Sequence, residues 1–479
     1  MTGSRARTAP QLISYPDSLG GTLASLADLL EGPLAGCFGG VHVLPPYPSS
    51  GDRGFAPIDH ASIDPRFGGW ADIERIGATH DVCLDLVVNH VSRRSAAFAS
   101  YEREGDASES ADLFLPLHKV WAGGEPDPED LAIVFRRRPR PWSEYQVGPE
   151  RQAVRLWTTF GADDPSEQVD IDAGSPVARR MLADQLGTLA AHGVRMVRLD
   201  AIGYAIKRAG TSCFMVQPGL DRFLDWLRSV AEPLGVELLT EVHGDVATQR
   251  RLARAGTLAY DFAFPGLVLH AVLSGSADAL LAHLRSMPAG MVTTLDSHDG
   301  IPIQPDLDGA LPIDAARALV SATVEAGGNV SRVLARGGLP DPDFDAHQAN
   351  CTWYAASGRD DASHLLARAI QLFAPGLPQV YYVGLLAGDN DHAAARAAGD
   401  GRAVNRHDYA AGEIERELER PVVRRTLGLL RLRSSHPAFG GRVGLGGGGD
   451  RLELTGRDGR HRCRLLANLS RRTFEIDES

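Results

Sequence analysis

Eight short runs of apolar, largely β-branched residues recur along the chain, at 12–15, 41–44, 82–88, 194–199, 236–240, 259–262, 292–295 and 379–383. Between them lie segments rich in Ala, Leu and Arg, such as 177–192 and 219–234, whose apolar residues fall at helical spacing. Strand-like runs alternating with helical segments are the pattern of a parallel sheet with helical crossovers. Eight such units predict an α/β fold in which the sheet closes on itself as a (β/α)₈ TIM barrel, in preference to an open doubly wound sheet.

The intervals between the runs are unequal. The third and fourth are separated by a long stretch rich in Pro, Gly and charge, too long for a crossover loop, which predicts an inserted subdomain. A second insertion is expected after the seventh run. The predicted organisation is barrel at 1–88, insertion at 89–174, barrel at 175–300, a second insertion at 301–358, barrel at 359–439, and a short C-terminal β domain at 440–479. The Gly-rich stretch 440–449 reads as the separator, followed by strand-like 451–454 and 463–466. Insertions after barrel strands lie over the C-terminal face, where substrates bind.

Acidic residues stand where the fourth, fifth and seventh runs end: Arg198-Leu199-Asp200, Glu241-Val242-His243 and Ser297-His298-Asp299, with Asn89-His90 after the third. Parallel barrel strands end on one rim, so acids far apart in sequence are brought to one mouth. One acid at a strand end is more often a cap or an ion pair than a catalyst; three on one rim read as a site. Glycosidic bond cleavage with retention needs a carboxylate to attack the anomeric carbon and a second carboxyl ~5 Å away to protonate the leaving oxygen. Asp200 and Glu241 suit these parts. Arg198, two residues before Asp200 and on the same strand face, is expected to keep that carboxylate ionised. Burial and the neighbouring negative charges are expected to raise Glu241 so that it holds a proton.

Bulk properties exclude several alternatives. A net charge of −12, spread along 479 residues, argues against a nucleic acid or an anionic membrane as partner. Cys37, Cys83, Cys213, Cys351 and Cys463 are widely spaced and read as reduced thiols. The N-terminal stretch lacks the apolar segment of a secretory signal, so a cytoplasmic protein is expected. No cofactor is required by this chemistry, and no metal site is expected: His80, His90 and His118 fall in different elements, and Asp389-Asn390-Asp391 reads as a surface turn.

Four ordered motifs, Asp85-Leu-Val-Val-Asn89-His90, Val197-Arg198-Leu199-Asp200-Ala201, Leu239-Thr240-Glu241-Val242-His243 and Leu295-Asp296-Ser297-His298-Asp299, resemble the conserved regions of the α-amylase clan, glycoside hydrolase family 13. Within it, Gly51-Asp52-Arg-Gly-Phe-Ala-Pro-Ile-Asp59-His60, Asp200-Ala-Ile-Gly-Tyr204 and Pro378-Gln-Val-Tyr-Tyr-Val-Gly384 are similar to the sucrose phosphorylase group, from about Gln11 to Phe439. The resemblance implies that Asp200 is the nucleophile, Glu241 the acid/base and Asp299 the transition-state stabiliser. It further implies that Asp52, His90, Arg198, His298 and Arg402 grip the glucosyl unit, that Phe55 and Phe160 wall it, and that Tyr204 and His243 line the same mouth.

A phosphorylase of this group transfers the glucosyl unit to inorganic phosphate, so its acceptor side needs positive charge. Arg136-Arg137-Arg138-Pro139-Arg140 lies in the first insertion, and the resemblance singles out Arg138 as the phosphate contact. Asp345-Ala346-His347-Gln348-Ala349-Asn350 resembles the acceptor loop, with His347 where sucrose-specific members carry Tyr, and with Gln348 beside it. A histidine that can become cationic suits a phosphorylated leaving group, which implies sucrose 6′-phosphate as donor and fructose 6-phosphate as product. Alternatives at this stage are sucrose, glucosylglycerol or glucosylglycerate as donor, hydrolysis or transglucosylation in place of phosphorolysis, and a non-catalytic sugar-binding barrel. The expected partners are a small glucoside and inorganic phosphate, the expected state a monomer or homodimer.

Overall fold

The computed structural model describes residues 8–303, 309–332 and 346–479. Residues 1–7 of the N-terminal stretch, 304–308 and 333–344 of the second insertion, and Asp345 of the acceptor segment lie outside them. Eight strands, β1 (Gln11–Ser14), β2 (Gly40–Val43), β3 (Asp81–Val87), β4 (Met196–Asp200), β5 (Glu237–Thr240), β6 (Leu258–Asp261), β7 (Met291–Thr293) and β8 (Leu377–Tyr381), form a closed barrel. Every pairing is parallel, each strand lies beside its sequence neighbours, and β1 closes on β8. The expected eight runs are these strands, with ends displaced by a residue or two. The displacement has a cause at β8, where the apolar run continues into a short helix, Tyr382–Leu385.

The crossover helix Pro176–Ala191 shows how the outer layer is built. Ser175 caps it by accepting from the Val177 amide, and Pro176 occupies the first turn, where its missing N–H costs nothing. Ala178, Leu182, Leu186 and Leu189 repeat at helical spacing and are the buried face. Each buried Leu contributes about 1.5–3 kcal/mol by leaving water. Side chains of non-adjacent strands meet across the barrel: Tyr260 Oη donates to Gln379 Oε1 at 2.8 Å, and Gln11 Nε2 approaches the Met196 sulfur at 3.9 Å. The interior is therefore packed and only its C-terminal rim is open to a ligand.

Between β3 and β4, the paired strands His90–Ser92 and Gln168–Asp170 leave and rejoin the rim, and Trp142–Val147 pairs with Gln152–Trp157 beyond them. Lys207 anchors this segment to the barrel through Asp170 Oδ2 and Asn89 Oδ1, both at 2.6 Å. After β7, Ala346–Asn350 is the central strand of a three-stranded antiparallel sheet with Ile301–Pro302 and Asn329–Arg332.

The C-terminal sheet has four antiparallel strands, Arg442–Gly448, Arg451–Asp458, His461–Asn468 and Thr473–Glu478. The Gly-rich stretch read as a separator is thus the first of these strands. Its glycines fit because Gly447 lies so close to Arg451 that a Cβ would stand 2.3 Å from the Arg451 carbonyl oxygen.

Behind the rim, Asp296 and Arg368 are wholly buried around Gly384, and burial pushes the Asp296 carboxyl up to about 6 against the opposing charge of Arg368. A Cβ on Gly384 would stand 2.8 Å from Asp296 Oδ1 and 2.9 Å from Arg368 Nη2. Gly384→Ala is expected to lower stability by about 1–3 kcal/mol, the cost of overpacking a tight interior. A denaturant midpoint equal to that of the parent chain would show that the methyl is accommodated.

Candidate active site

The pleat of β4 puts Arg198 and Asp200 on one face, and Arg198 Nη1 lies 2.9 Å from Asp200 Oδ1. The same nitrogen donates to Asp85 Oδ1 from β3, and Nη2 lies 3.5 Å from Glu241 Oε1 beyond β5. Asp85 is fixed in turn by His42 Nε2 at 2.7 Å. One buried guanidinium thus organises three carboxylates. Ala201, which follows Asp200, takes a left-handed conformation, φ 54°, and its amide donates to Glu241 Oε2 at 2.9 Å. Such a conformation is costly for a residue with a Cβ, and its return is an oriented acid.

Asp299 is held by His298 Nε2 at 3.3 Å and Arg406 Nη2 at 3.5 Å, while Arg406 Nε donates to the His298 carbonyl at 2.7 Å. Asp200, Glu241 and Asp299 line one cleft of ≈ 300 Å³. Glu241, His243 and Asp299 offer ligand atoms all within 4.8 Å of one another, the one such grouping among the described residues. Asp299 also feels Arg406, Arg402 and Arg198, and Glu241 is beside Arg198, so fixed positive charge opposes a cation there.

Of the glucosyl-grip candidates, Asp52, His90, His298 and Arg402 line the same cleft, while Arg198 lies buried behind the acids it pairs with. Asp52 accepts from Arg402 Nη2 at 2.6 Å and is presented by a loop in which Asp52 and Arg53 both have positive φ, 50° and 48°. Arg53 secures that loop by pairing with Asp17 and Asp408. Phe55 stacks on His298 with centroids 5.0 Å apart, and its carbonyl accepts from His90 Nε2 at 2.8 Å. Phe160 packs between His90 and Tyr204, at 5.4 Å and 5.1 Å. His243 stacks on Phe262, and its Nε2 lies 3.1 Å from Glu241 Oε1 and 3.2 Å from Gln348 Nε2. His347 is buried at the cleft, its ring 4.9 Å from that of His243.

On the acceptor side, His347 and Gln348 line the cleft and Arg138 does not reach it. Its guanidinium donates to Thr158 Oγ1, the Phe160 carbonyl and the Asp163 carbonyl, at 3.0, 3.2 and 2.8 Å, which makes it a brace for the loop carrying Phe160. Its neighbour Arg137 lines the cleft instead, with a buried Nη1 that has no hydrogen-bond partner among the described residues. A shift of one residue carries an arginine to the other side of the loop, and a run of arginines has no internal signal of which one turns inward. Arg406, which holds Asp299, and Asn329 and Ser331, which line the cleft, belong to none of the sequence motifs, and Asn350 lines it from the end of the acceptor-loop motif.

The charge states differ from the expectation. Burial is the largest influence on both Asp200 and Glu241 and pushes both carboxyls up, while Arg198 pulls both down. The hydrogen bond and charge of His243 then bring Glu241 down to about 2, and the Glu241 charge leaves Asp200 well above its usual range. The two carboxyls titrate as a pair, each shifted by the charge state of the other. Asp299 lies below the usual carboxylate range: burial raises it, but His298, Arg406, Arg402 and Arg198 more than offset that. Burial takes His298 down to about 4, so its imidazole is neutral.

Residues 37–268 match the family model of the α-amylase catalytic domain. The chain is 46% identical over 468 residues to sucrose 6(F)-phosphate phosphorylase of Thermoanaerobacterium thermosaccharolyticum, covering 98% of this chain and 96% of that one. It is 39% identical over 473 residues to glucosylglycerol phosphorylase of Marinobacter adhaerens, covering 98% and 96%. The crystal structure of sucrose 6F-phosphate phosphorylase from Thermoanaerobacter thermosaccharolyticum superimposes with a TM-score of 0.97 at 45% identity, covering 100% of this chain and 97% of that one.

Proposed function

Because the chain belongs to the sucrose phosphorylase group of the α-amylase family, glycoside hydrolase family 13, we propose that it transfers the glucosyl unit of sucrose 6F-phosphate to inorganic phosphate. The products are α-glucose 1-phosphate and fructose 6-phosphate. Asp200 attacks the anomeric carbon as Glu241 protonates the departing fructosyl oxygen, so the C1–O bond breaks and a glucosyl ester forms on Asp200. A phosphate oxygen then attacks the same carbon, Glu241 takes its proton, and the ester bond to Asp200 breaks. Two inversions give retention. Asp299, kept ionised by Arg406 and Arg402, stabilises positive charge developing on the ring. Asp52 and Arg402, paired at 2.6 Å, hold the ring at the end away from the leaving group.

The observation that carries the choice of donor is the buried Nη1 of Arg137, unpartnered among the described residues, in a cleft also lined by His347. A buried cationic donor without an acceptor is costly, and a phosphate on the leaving fructosyl unit, then inorganic phosphate in the second step, supplies one. The same pair serves both anions in turn. We assign this activity to a cytoplasmic monomer or homodimer, since sugar phosphates are charged and do not cross a bilayer unaided.

The test is a panel of sucrose, sucrose 6F-phosphate and glucosylglycerol with phosphate, reading glucose 1-phosphate. Sucrose 6F-phosphate should give the highest kcat/KM, and an equal or higher value for sucrose would defeat the reading. In His347→Tyr the KM for sucrose 6F-phosphate should rise selectively, by roughly 10-fold for one lost charge-assisted contact. A KM that rises equally for sucrose would mean that His347 does not read the phosphate.

A further inference from the structure

Asn329 stands on the strand Asn329–Arg332 opposite Asn350, in register across the sheet that carries His347 and Gln348. Its side-chain amide is used at both ends. Oδ1 accepts from Asn350 Nδ2 at 2.7 Å, and Nδ2 donates to the Gly401 carbonyl at 2.9 Å. Asn350 Nδ2 is shared with Ser331 Oγ at 3.0 Å, so the amide ladder is tied into the sheet. Gly401 accepts this approach only because it has no side chain: a Cβ there would stand 2.6 Å from Asn329 Oδ1 and 3.0 Å from its Cγ. The next residue is Arg402, whose amide donates to Asp400 Oδ1 at 2.9 Å and whose Nη2 holds Asp52 at 2.6 Å.

A continuous path therefore runs from the acceptor strand through Asn350 and Asn329 to the turn that bears the glucosyl grip. We propose that Asn329 is a positioning residue, which sets the Gly401–Arg402 turn, and through it Asp52, from the strand that carries His347 and Gln348. The inference rests on the proposed glucosyl transfer and adds to it a link between the leaving-group side and the closed end of the site. Other ties hold the far part of the same segment: Arg406 and Asn405 donate to the His298 and Ser297 carbonyls, at 2.7 and 2.9 Å, and the Val404 carbonyl accepts from the Asp391 amide at 2.7 Å. Asn329 supplies the tie to the inserted sheet.

The experiment uses α-glucosyl fluoride with phosphate, because a fluoride leaving group has no atoms to reach the acceptor strand. Asn329→Asp keeps the acceptor for Asn350 but turns an oxygen toward the Gly401 carbonyl. It should lower kcat/KM for α-glucosyl fluoride by roughly 10- to 100-fold, the scale of a small misplacement of a positioning group, with the melting temperature nearly unchanged. Gly401→Ala should lower it comparably, and trimming the opposing amide in Asn329→Ala/Gly401→Ala should recover part of that loss. Unchanged use of the fluoride in Asn329→Asp, or losses that simply add in the double variant, would overturn the proposal. A loss confined to sucrose 6F-phosphate would overturn it too, since Asn329 would then be a contact for the leaving group. If the parent chain makes no glucose 1-phosphate from the fluoride, the functional reading fails and not this one.

Discussion

Replacing Asp200 with Asn is expected to reduce phosphorolysis by roughly 10⁴-fold or more, on the scale of removing a covalent nucleophile. The amide has the shape of the carboxyl but cannot form the glucosyl ester. Arg198 keeps Asp85 and Glu241 as partners, so the guanidinium stays in place and the loss belongs to the chemistry. The same change should raise stability. Burial and the Glu241 charge lift the Asp200 carboxyl in the folded chain, so ionising it opposes folding. The penalty is absent below the ordinary Asp value near 4, grows as pH rises above it, and levels off above the raised folded value. The melting-temperature gain of Asp200→Asn should therefore be small in acid and larger at neutral pH. Turnover within 100-fold of the parent chain would remove Asp200 from the nucleophile's part. A gain that shrinks with rising pH would show that Arg198 outweighs burial at this carboxyl.

That opposition between catalysis and stability was only half visible in the sequence. The strands were legible because burial on both faces demands continuous apolar, β-branched runs, and the three acids because they follow those runs directly. The runs also gave Arg198 its place, since residues two apart on a strand share a face. His243 was read as a lining residue, but its effect on Glu241 was not, because that depends on where an imidazole nitrogen points. Arg137 and Arg138 illustrate the same limit: identical residues in an irregular loop, one facing the cleft and the other spent on backbone carbonyls. At the C-terminus, glycine content signalled a separator, whereas a close strand pairing at Gly447 made glycine fit within a sheet. Composition records that a backbone approach is tight or free without distinguishing the two.

Glu241→Gln should separate the proton's role from that of the site's shape. With sucrose 6F-phosphate the loss should be large, on the order of 10³-fold, since an alkoxide leaves poorly without a general acid. With α-glucosyl fluoride, which departs as an anion, glucosylation of Asp200 should be slowed far less. The Gln oxygen can keep the Ala201 amide contact, so the rim is not expected to collapse. The pH profile carries the sharper test. Glu241 is one of the groups that lift Asp200, and Arg198 opposes them. Removing the Glu241 charge should lower the Asp200 carboxyl and move the acid limb of kcat/KM for the fluoride to lower pH. An acid limb that stays fixed would mean that the two carboxyls titrate independently. A shift to higher pH would mean that the new amide weakens Arg198's hold on Asp200 more than the lost charge helps it. In the parent chain, the proton needed for leaving-group departure must pass to Glu241, which Arg198 and then His243 hold down to about 2 against burial. The hydrogen bond and charge of His243 add to the pull of Arg198 there, so loss of the His243 contact should raise Glu241.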